Sequence, residues 1–262
     1  MSIIDRYDSI AVDLDGVIWR HGQIIPGAPQ AIDAIRAAGK HLLFLTNNAL
    51  RPAGEVAAIL KTAGIQATEE EILTTAAVAR EWIEGQQMIG VRTFFVATSE
   101  VIDQFKGLLE PADGGQIDLV FVARDVNFTF ERLKLSSDAV RAGAAFVAVN
   151  RDPVLPVPRG LEPGTGALLA AIETAAGSRA VVLGKPEDPM MNAAARRLGG
   201  RILMIGDQIS SDVAGAERAG WDSLLVLTGA TSGPGPFRPA PTYVLGSIAE
   251  LPVADERAQA VP

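Results

Sequence analysis

Ile10-Ala11-Val12-Asp13-Leu14-Asp15-Gly16 is the stretch whose reading decides the fold. Its apolar half reads as a short buried strand, and the Asp-Leu-Asp-Gly that ends it reads as a turn. A helix is predicted next, over about 28–38, with Pro29 in its first turn, Ile32 and Ile35 on one face and Gly39 as its stop. A second apolar strand runs from His41 to Leu45 and ends at Thr46-Asn47-Asn48. Pro52 opens another helix and Gly64 closes it. Strand–helix–strand–helix is the pattern of an α/β chain with a parallel sheet.

The pattern resumes late in the chain. Pro186 to Leu198 reads as a helix and Arg201 to Ile205 as a strand. Gly206-Asp207 reads as a turn, Asp212 to Ala219 as a short helix stopped by Gly220, and Ser223 to Leu227 as a strand. Between them lies a second alternating set. Its strand candidates are Val91–Ala97, Leu119–Ala123 and Ala145–Val149, and its helix candidates Thr129–Ala142 and Gly164–Ala175. The expected organisation is a core of residues 1–75 and 180–262 with residues 76–179 inserted as a domain. The hinges are expected near Leu73–Ala77 and Gly177–Val182. Gly229 to Pro241 reads as a surface loop and Ala254 to Pro262 as a loose tail.

Composition narrows the chemistry. The 262 residues are 48% apolar, enough for a packed core, which excludes disorder as the main state. Lys and Arg number 23 against 31 Asp and Glu, a net charge of −8 that repels a nucleic-acid backbone. There is no cysteine, so disulfides, thiolate catalysis and cysteine-bound metals are excluded. His21 and His41 are the only histidines, so a metal here is held by oxygen, as Mg²⁺ or Mn²⁺ would be. MSIIDRYDSI carries no signal-peptide pattern, and no apolar run reaches the ~18 residues of a membrane span. A cytoplasmic protein with no membrane or nucleic-acid partner is the expectation.

Asp13 and Asp15 lie two apart, so on a strand their side chains share a side. They stand where open α/β sheets place their sites, at a strand's carboxyl end. Two such carboxylates repel each other unless a cation lies between them. Taken alone, Asp-x-Asp-Gly is also a plain turn. Thr46 is either a phosphate-binding hydroxyl or a helix cap, and Lys185, just before Pro186, is either a phosphate-facing ammonium or a solvated lysine. Asp207 and Asp212 bring two more acids to the same edge if their strand is parallel, although Asp212 also suits the first turn of a helix. Together these loops offer acids, a hydroxyl, an amide and a lysine, a set suited to a phosphate ester and one hard cation.

In these residues the sequence resembles the haloacid dehalogenase superfamily of phosphatases. Asp13-Leu14-Asp15-Gly16-Val17, Thr46 at a strand end, Gly184-Lys185-Pro186, and Asp207 with Asp212 in Gly-Asp-x4-Asp match its four motifs in order. Asp15-Gly-Val-Ile-Trp19-Arg20, Ile25-Pro-Gly-Ala28, Thr46-Asn47-Asn48, the segment from Pro163 to Glu173 and Pro241-Thr-Tyr-Val244 look like subfamily IIA, the NagD-like and 4-nitrophenylphosphatase-like branch. The resemblance implies a Rossmann-like core and an inserted α/β cap of the C2 type. It implies Asp13 as nucleophile and Asp15 as general acid and base. Mg²⁺ would sit on the Asp13 carboxylate, the Asp15 main-chain carbonyl and Asp207, supported by Asp212. Thr46, Asn47 and Lys185 would hold the phosphoryl group. Val122 to Phe130 departs from the subfamily's Gly-Leu-Asp-Arg pattern.

The implied activity is Mg²⁺-dependent hydrolysis of a small phosphorylated metabolite. Sugar phosphates, nucleotides, glycerol phosphate, phosphoglycolate, pyridoxal phosphate and 4-nitrophenyl phosphate are the candidate substrates. A haloacid dehalogenase is an alternative, argued against by Asp15 and Asp207, which carbon–halogen cleavage does not need. A phospho-acceptor signalling domain is another, argued against by the inserted block. The cap is a candidate surface for a homodimer. Trp19 reads as packing under the flap, with lining of a substrate entrance as the alternative, His21 as a surface residue and His41 as a strand start; Asn150-Arg151-Asp152 reads as a solvated loop, with a substrate-facing segment as the alternative. Gly164-Thr-Gly166 reads as a helix start rather than a dinucleotide turn, because Val154-Leu-Pro-Val-Pro158 cannot be a central strand.

Overall fold

The computed structural model describes residues 2–20, 22–157, 160–233 and 235–254; His21, Pro158 and the tail after Ala254 lie outside them. It divides into two compact units, one of Met1–Thr46, Ala53–Leu73 and Lys185–Pro262 and one of Asn47–Pro52 and Thr74–Gly184.

The first unit is built on a sheet with the strand order Tyr243–Leu245, Asp222–Val226, Ile202–Gly206, Ser9–Asp13, His41–Thr46 and Ile72–Thr74. Ser9–Asp13 is central and parallel to both neighbours, with Val12 opposite Ile205 on one side and Asp13 opposite Leu45 on the other. All five of its residues are buried, as expected for a strand covered on both faces. Helix Ala28–Ala37 turns Ala31, Ile32 and Ile35 into the core, begins with a proline in its first turn and is followed by Gly39 in the left-handed region. Asp13 thus ends a strand whose Ile10 and Val12 are anchored in the core.

The second unit has its own sheet, ordered Val181–Val182, Ala145–Ala148, Leu119–Val122, Arg92–Val96 and Glu110–Pro111, with parallel pairing throughout. Phe94, Val96, Val120, Val122, Phe146, Leu169 and Ile172 form its core. Helices Phe130–Arg141 and Thr165–Ala176 cover it. The expectation of a solid α/β architecture with a separate inserted sheet holds.

Several boundaries move. Val181–Val182 pairs with Ala145–Ala148, so residues up to Gly184 belong to the inserted unit rather than to the core that was expected to resume at 180. Asn47–Pro52, Thr74 and Thr75 join it as well. Val154–Val157 is an edge strand in a two-stranded hairpin with Gly160–Pro163, in keeping with the expectation that it is no central strand. The expected helix from Asp212 begins earlier, as a wide π turn over Ile209–Val213, and becomes α-helical at Ala214–Ala219. Short apolar segments gave little warning of the helix Thr75–Gly85 or the strand Tyr243–Leu245.

Candidate active site

Three strand ends and one loop of the first unit converge. Asp13 ends the central strand, Thr46 ends its neighbour, and Asp207 follows Ile202–Gly206 on the other side. Lys185 enters from the chain ahead of helix Asp188–Leu198. All four side chains are buried, as is Asp212.

Lys185 Nζ donates to Asp13 Oδ1 at 2.6 Å and to Asp212 Oδ1 at 2.7 Å. The other oxygen of Asp212 accepts the backbone N–H groups of Asp207 and Gln208, at 3.1 and 3.0 Å. Asp212 stands in the first turn of the helical segment, as the sequence allowed, but it is buried. The π turn bends the chain so that its carboxylate reaches back to the strand end. Gly206 makes this approach feasible, since a Cβ there would lie 2.2 Å from the Asp212 Cβ.

Asp207 is gripped by a segment that sequence reading left in a surface loop. Ala230 N donates to Asp207 Oδ2, and Thr231 N donates to the Asp207 carbonyl at 3.1 Å. Thr228 Oγ1 donates to the Gly16 carbonyl at 2.6 Å. The legible signal was Thr228-Gly229 directly after a buried strand, the same position that singled out Asp13 and Thr46. Gly16 has φ +83°, and a Cβ on it would stand 2.4 Å from Asp207 Oδ2 and 2.9 Å from Gly229 Cα. Conformation and space both demand glycine there.

Burial raises the Asp13 carboxyl well above its ordinary value; Lys185 opposes this, and Asp212, Asp207 and Asp15 add to it. Burial and then Asp212 raise Asp207 to about 7. Burial alone would lower Lys185, but the Asp13 and Asp212 carboxylates outweigh it and keep the ammonium protonated. Ligand oxygens of Asp13, Asp207 and Asp212 all lie within 4.8 Å of one another. Among the described residues, three carboxylates crowd around one ammonium in this pocket. Such an all-oxygen, acid-rich set fits a hard divalent cation such as Mg²⁺.

Asp15 is exposed, and its Oδ1 accepts the Trp19 indole N–H at 3.0 Å. Trp19 packs against the core as expected, but its polar edge has a partner that sequence reading did not foresee. His41 is an exposed strand start.

Asn47 falls in the second unit, and its side-chain amide donates to Asp152 Oδ2 at 3.1 Å. Its carbonyl accepts from Asn150 Nδ2 at 2.8 Å and from Thr75 Oγ1 at 3.2 Å. Asn150-Arg151-Asp152 is therefore no solvated loop. Asn150 is buried, and Arg151 makes two 2.8 Å bonds to the buried Glu173. Gly164 and Gly166 let helix Thr165–Ala176 start against this segment, since Cβ atoms there would meet the Asp152 and Arg151 carbonyls at 2.3 and 2.2 Å.

Residues 10–108 match the family described as haloacid dehalogenase-like hydrolase, and residues 182–251 a second family described as HAD-hydrolase-like. A 5'-nucleotidase of Bacillus subtilis is 32% identical over 228 residues, covering 86% of this chain and 89% of the relative. The chain belongs to the haloacid dehalogenase-like hydrolases.

Within the haloacid dehalogenase-like hydrolases it falls in subfamily IIA, the NagD-like branch. A D-glycerol 3-phosphate phosphatase of Mycobacterium tuberculosis is 38% identical over 235 residues, and the match spans 88% of this chain and 66% of that relative. A crystal structure of a glycerol phosphate phosphatase from the same organism, in complex with magnesium, superposes with a TM-score of 0.87 at 36% identity, covering 100% of this chain and 81% of that one. A 4-nitrophenylphosphatase from Thermotoga maritima gives 0.86 at 26% identity, covering 97% of this chain and 99% of that one. The core is the Rossmann-like one of this family, and the inserted α/β unit is its cap.

Proposed function

We propose that Asp13 attacks phosphorus to form an aspartyl-phosphate, with Asp15 transferring the proton and Thr46, Asn47 and Lys185 holding the phosphoryl group. The observation that carries this reading is the 2.6 Å contact of Lys185 Nζ with Asp13 Oδ1, inside a buried group of three carboxylates at the end of the central strand. The chain is a Mg²⁺-dependent phosphatase of small phosphomonoesters, a class that includes the glycerol 3-phosphate, 5'-nucleotide and 4-nitrophenyl phosphate of its relatives' names.

In the first half-reaction a carboxylate oxygen of Asp13 bonds to phosphorus as the ester P–O bond breaks, and the Asp15 carboxyl gives its proton to the departing oxygen. In the second, the Asp15 carboxylate takes a proton from water, the water oxygen bonds to phosphorus, and the Asp13–phosphorus bond breaks to release phosphate. Lys185 and Thr46 bring an ammonium and a hydroxyl to the phosphoryl oxygens, where charge is spread in the transition state. Asp13, the Asp15 carbonyl and Asp207 would hold Mg²⁺, braced by Asp212, and the bound ion would offset phosphoryl charge and align phosphorus with Asp13. The solvent exposure of Asp15, beside the buried acids, suits a group that meets the leaving oxygen.

The acidic, cysteine-free composition supports a cytoplasmic enzyme acting on metabolites rather than nucleic acid. Among the described residues no helix is long and apolar enough to cross a membrane. Exposed Val126, Phe130 and Leu161 on the inserted unit support a homodimer through the cap. The test is a panel of small phosphomonoesters assayed with Mg²⁺ and with EDTA, for the wild type and Asp13→Asn. Hydrolysis by the wild type in Mg²⁺ alone is expected; its absence across the panel would remove this reading.

A further inference from the structure

We infer that Trp19 is a positioning residue for Asp15, holding one carboxyl oxygen with its indole N–H so that the other faces the reacting ester. The inference rests on the assignment of Asp15 as the proton-transfer group.

The geometry is local and well anchored. Trp19 Nε1 lies 3.0 Å from Asp15 Oδ1. The intervening chain is one tight turn, in which the Leu14 carbonyl accepts from Ile18 N at 2.9 Å and Trp19 N at 3.1 Å, and Gly16 N donates to the Trp19 carbonyl at 2.7 Å. Leu14, Val17 and Ile18 are buried beneath it. Trp19 opens the hairpin that pairs it with Ile24, and its ring packs on the core. The ring is thus fixed by packing, whereas Asp15 is exposed and has two side-chain torsions to fix.

The chemistry follows from what an indole can do. Its N–H donates and never accepts. The oxygen facing the ring is the acceptor, a role a carbonyl oxygen fills better than a hydroxyl oxygen, which favours the carboxyl proton on Oδ2. As the ester P–O bond breaks, the Oδ2–H bond breaks and the proton goes to the leaving oxygen. In the second half-reaction the same Oδ2 removes the proton of the attacking water. A single hydrogen bond from outside the reacting atoms serves both directions of transfer. Had Trp19 only a packing role, phenylalanine would replace it without a change in leaving-group preference.

Trp19→Phe keeps an aromatic side chain, one ring smaller, and removes the donor. The measurement is kcat/KM, which reports the steps through aspartyl-phosphate formation, on 4-nitrophenyl phosphate and on an alkyl phosphomonoester. The nitrophenolate departs without a proton, whereas an alkoxide needs one. The expected result is a loss on the alkyl ester about tenfold greater than on the nitrophenyl ester, with Asp15→Asn showing the same bias more strongly. Because the readout is a ratio within one preparation, a misfolded fraction cancels. Equal losses on both esters, or none on either, would overturn the inference while leaving the phosphatase reading intact. A wild type that turns over no alkyl ester overturns it as well, and one that hydrolyses neither ester removes the phosphatase reading too.

Discussion

Lys185 Nζ sits 2.6 Å from Asp13 Oδ1, two buried groups brought together from positions 172 residues apart in the chain. Its second bond, to Asp212, makes Lys185 the only ammonium in contact with the acid group among the described residues. Removing it by Lys185→Met leaves buried carboxylates without their partner, a change that typically costs about 3–5 kcal/mol. Thermal unfolding in EDTA should show that loss. Added Mg²⁺ should stabilise the variant more than the wild type, while phosphatase activity stays at least about a hundredfold lower.

Asp13→Asn keeps the size of the side chain but removes the nucleophile. Activity should fall by at least about a thousandfold, with far-UV circular dichroism unchanged. No radiolabelled phosphate should remain on the acid-quenched variant, whereas the wild type should carry it.

Mg²⁺ binds the folded site and has no such site in the unfolded chain. At a concentration of about a hundred times its dissociation constant it should add about 2.7 kcal/mol of stability. Asp207→Asn should abolish most of that increment in a thermal melt, and Gly16→Ala should do the same by pushing on the Asp207 carboxylate.

Glu173 sets an acid limit on the inserted unit. Arg151 first, against the cost of burial and with help from Ala180 N–H and Arg179, holds its carboxyl down at about 2. A lowered carboxyl stabilises the fold fully above its unfolded value of about 4.5 and loses that contribution as pH falls toward 2. The contribution is about 1–3 kcal/mol after solvent screening around the exposed Arg179. Denaturant melts should show Glu173→Gln destabilised at neutral pH, and the gap to wild type should close between pH 4.5 and 2.

Asn150→Ala removes a donor to the Asn47 carbonyl in the inserted unit. It should lower that unit's stability by about 1–2 kcal/mol, read as faster amide exchange around residues 47–52 and 74–75.

The strands ending at Asp13, Thr46 and Gly206 were legible because runs such as Leu42–Leu45 are buried on both sheet faces and are apolar without interruption. The acids and Lys185 were legible because they punctuate those runs and match the family's motifs. The π turn over Ile209–Val213 was not, because its cause is the bond from Asp212 to the N–H groups of Asp207 and Gln208, which no helical periodicity encodes. Nor was the buried state of Asn150, since its partner is a main-chain carbonyl 103 residues away.

The amino-acid sequence by itself determined the α/β class, the inserted block, the family and the identity of the acids and the lysine. Hydrophobic runs and their stops are local, and burial on a sheet rewards them wherever they occur. Tertiary structure alone decided which charges meet. Lys185 chose Asp13 and Asp212, the 228–231 loop closed on Asp207, and Asn47 turned to Asp152. Hydrogen bonds and contact ion pairs form at about 3 Å, so these contacts are made only once packing has brought distant segments within that range.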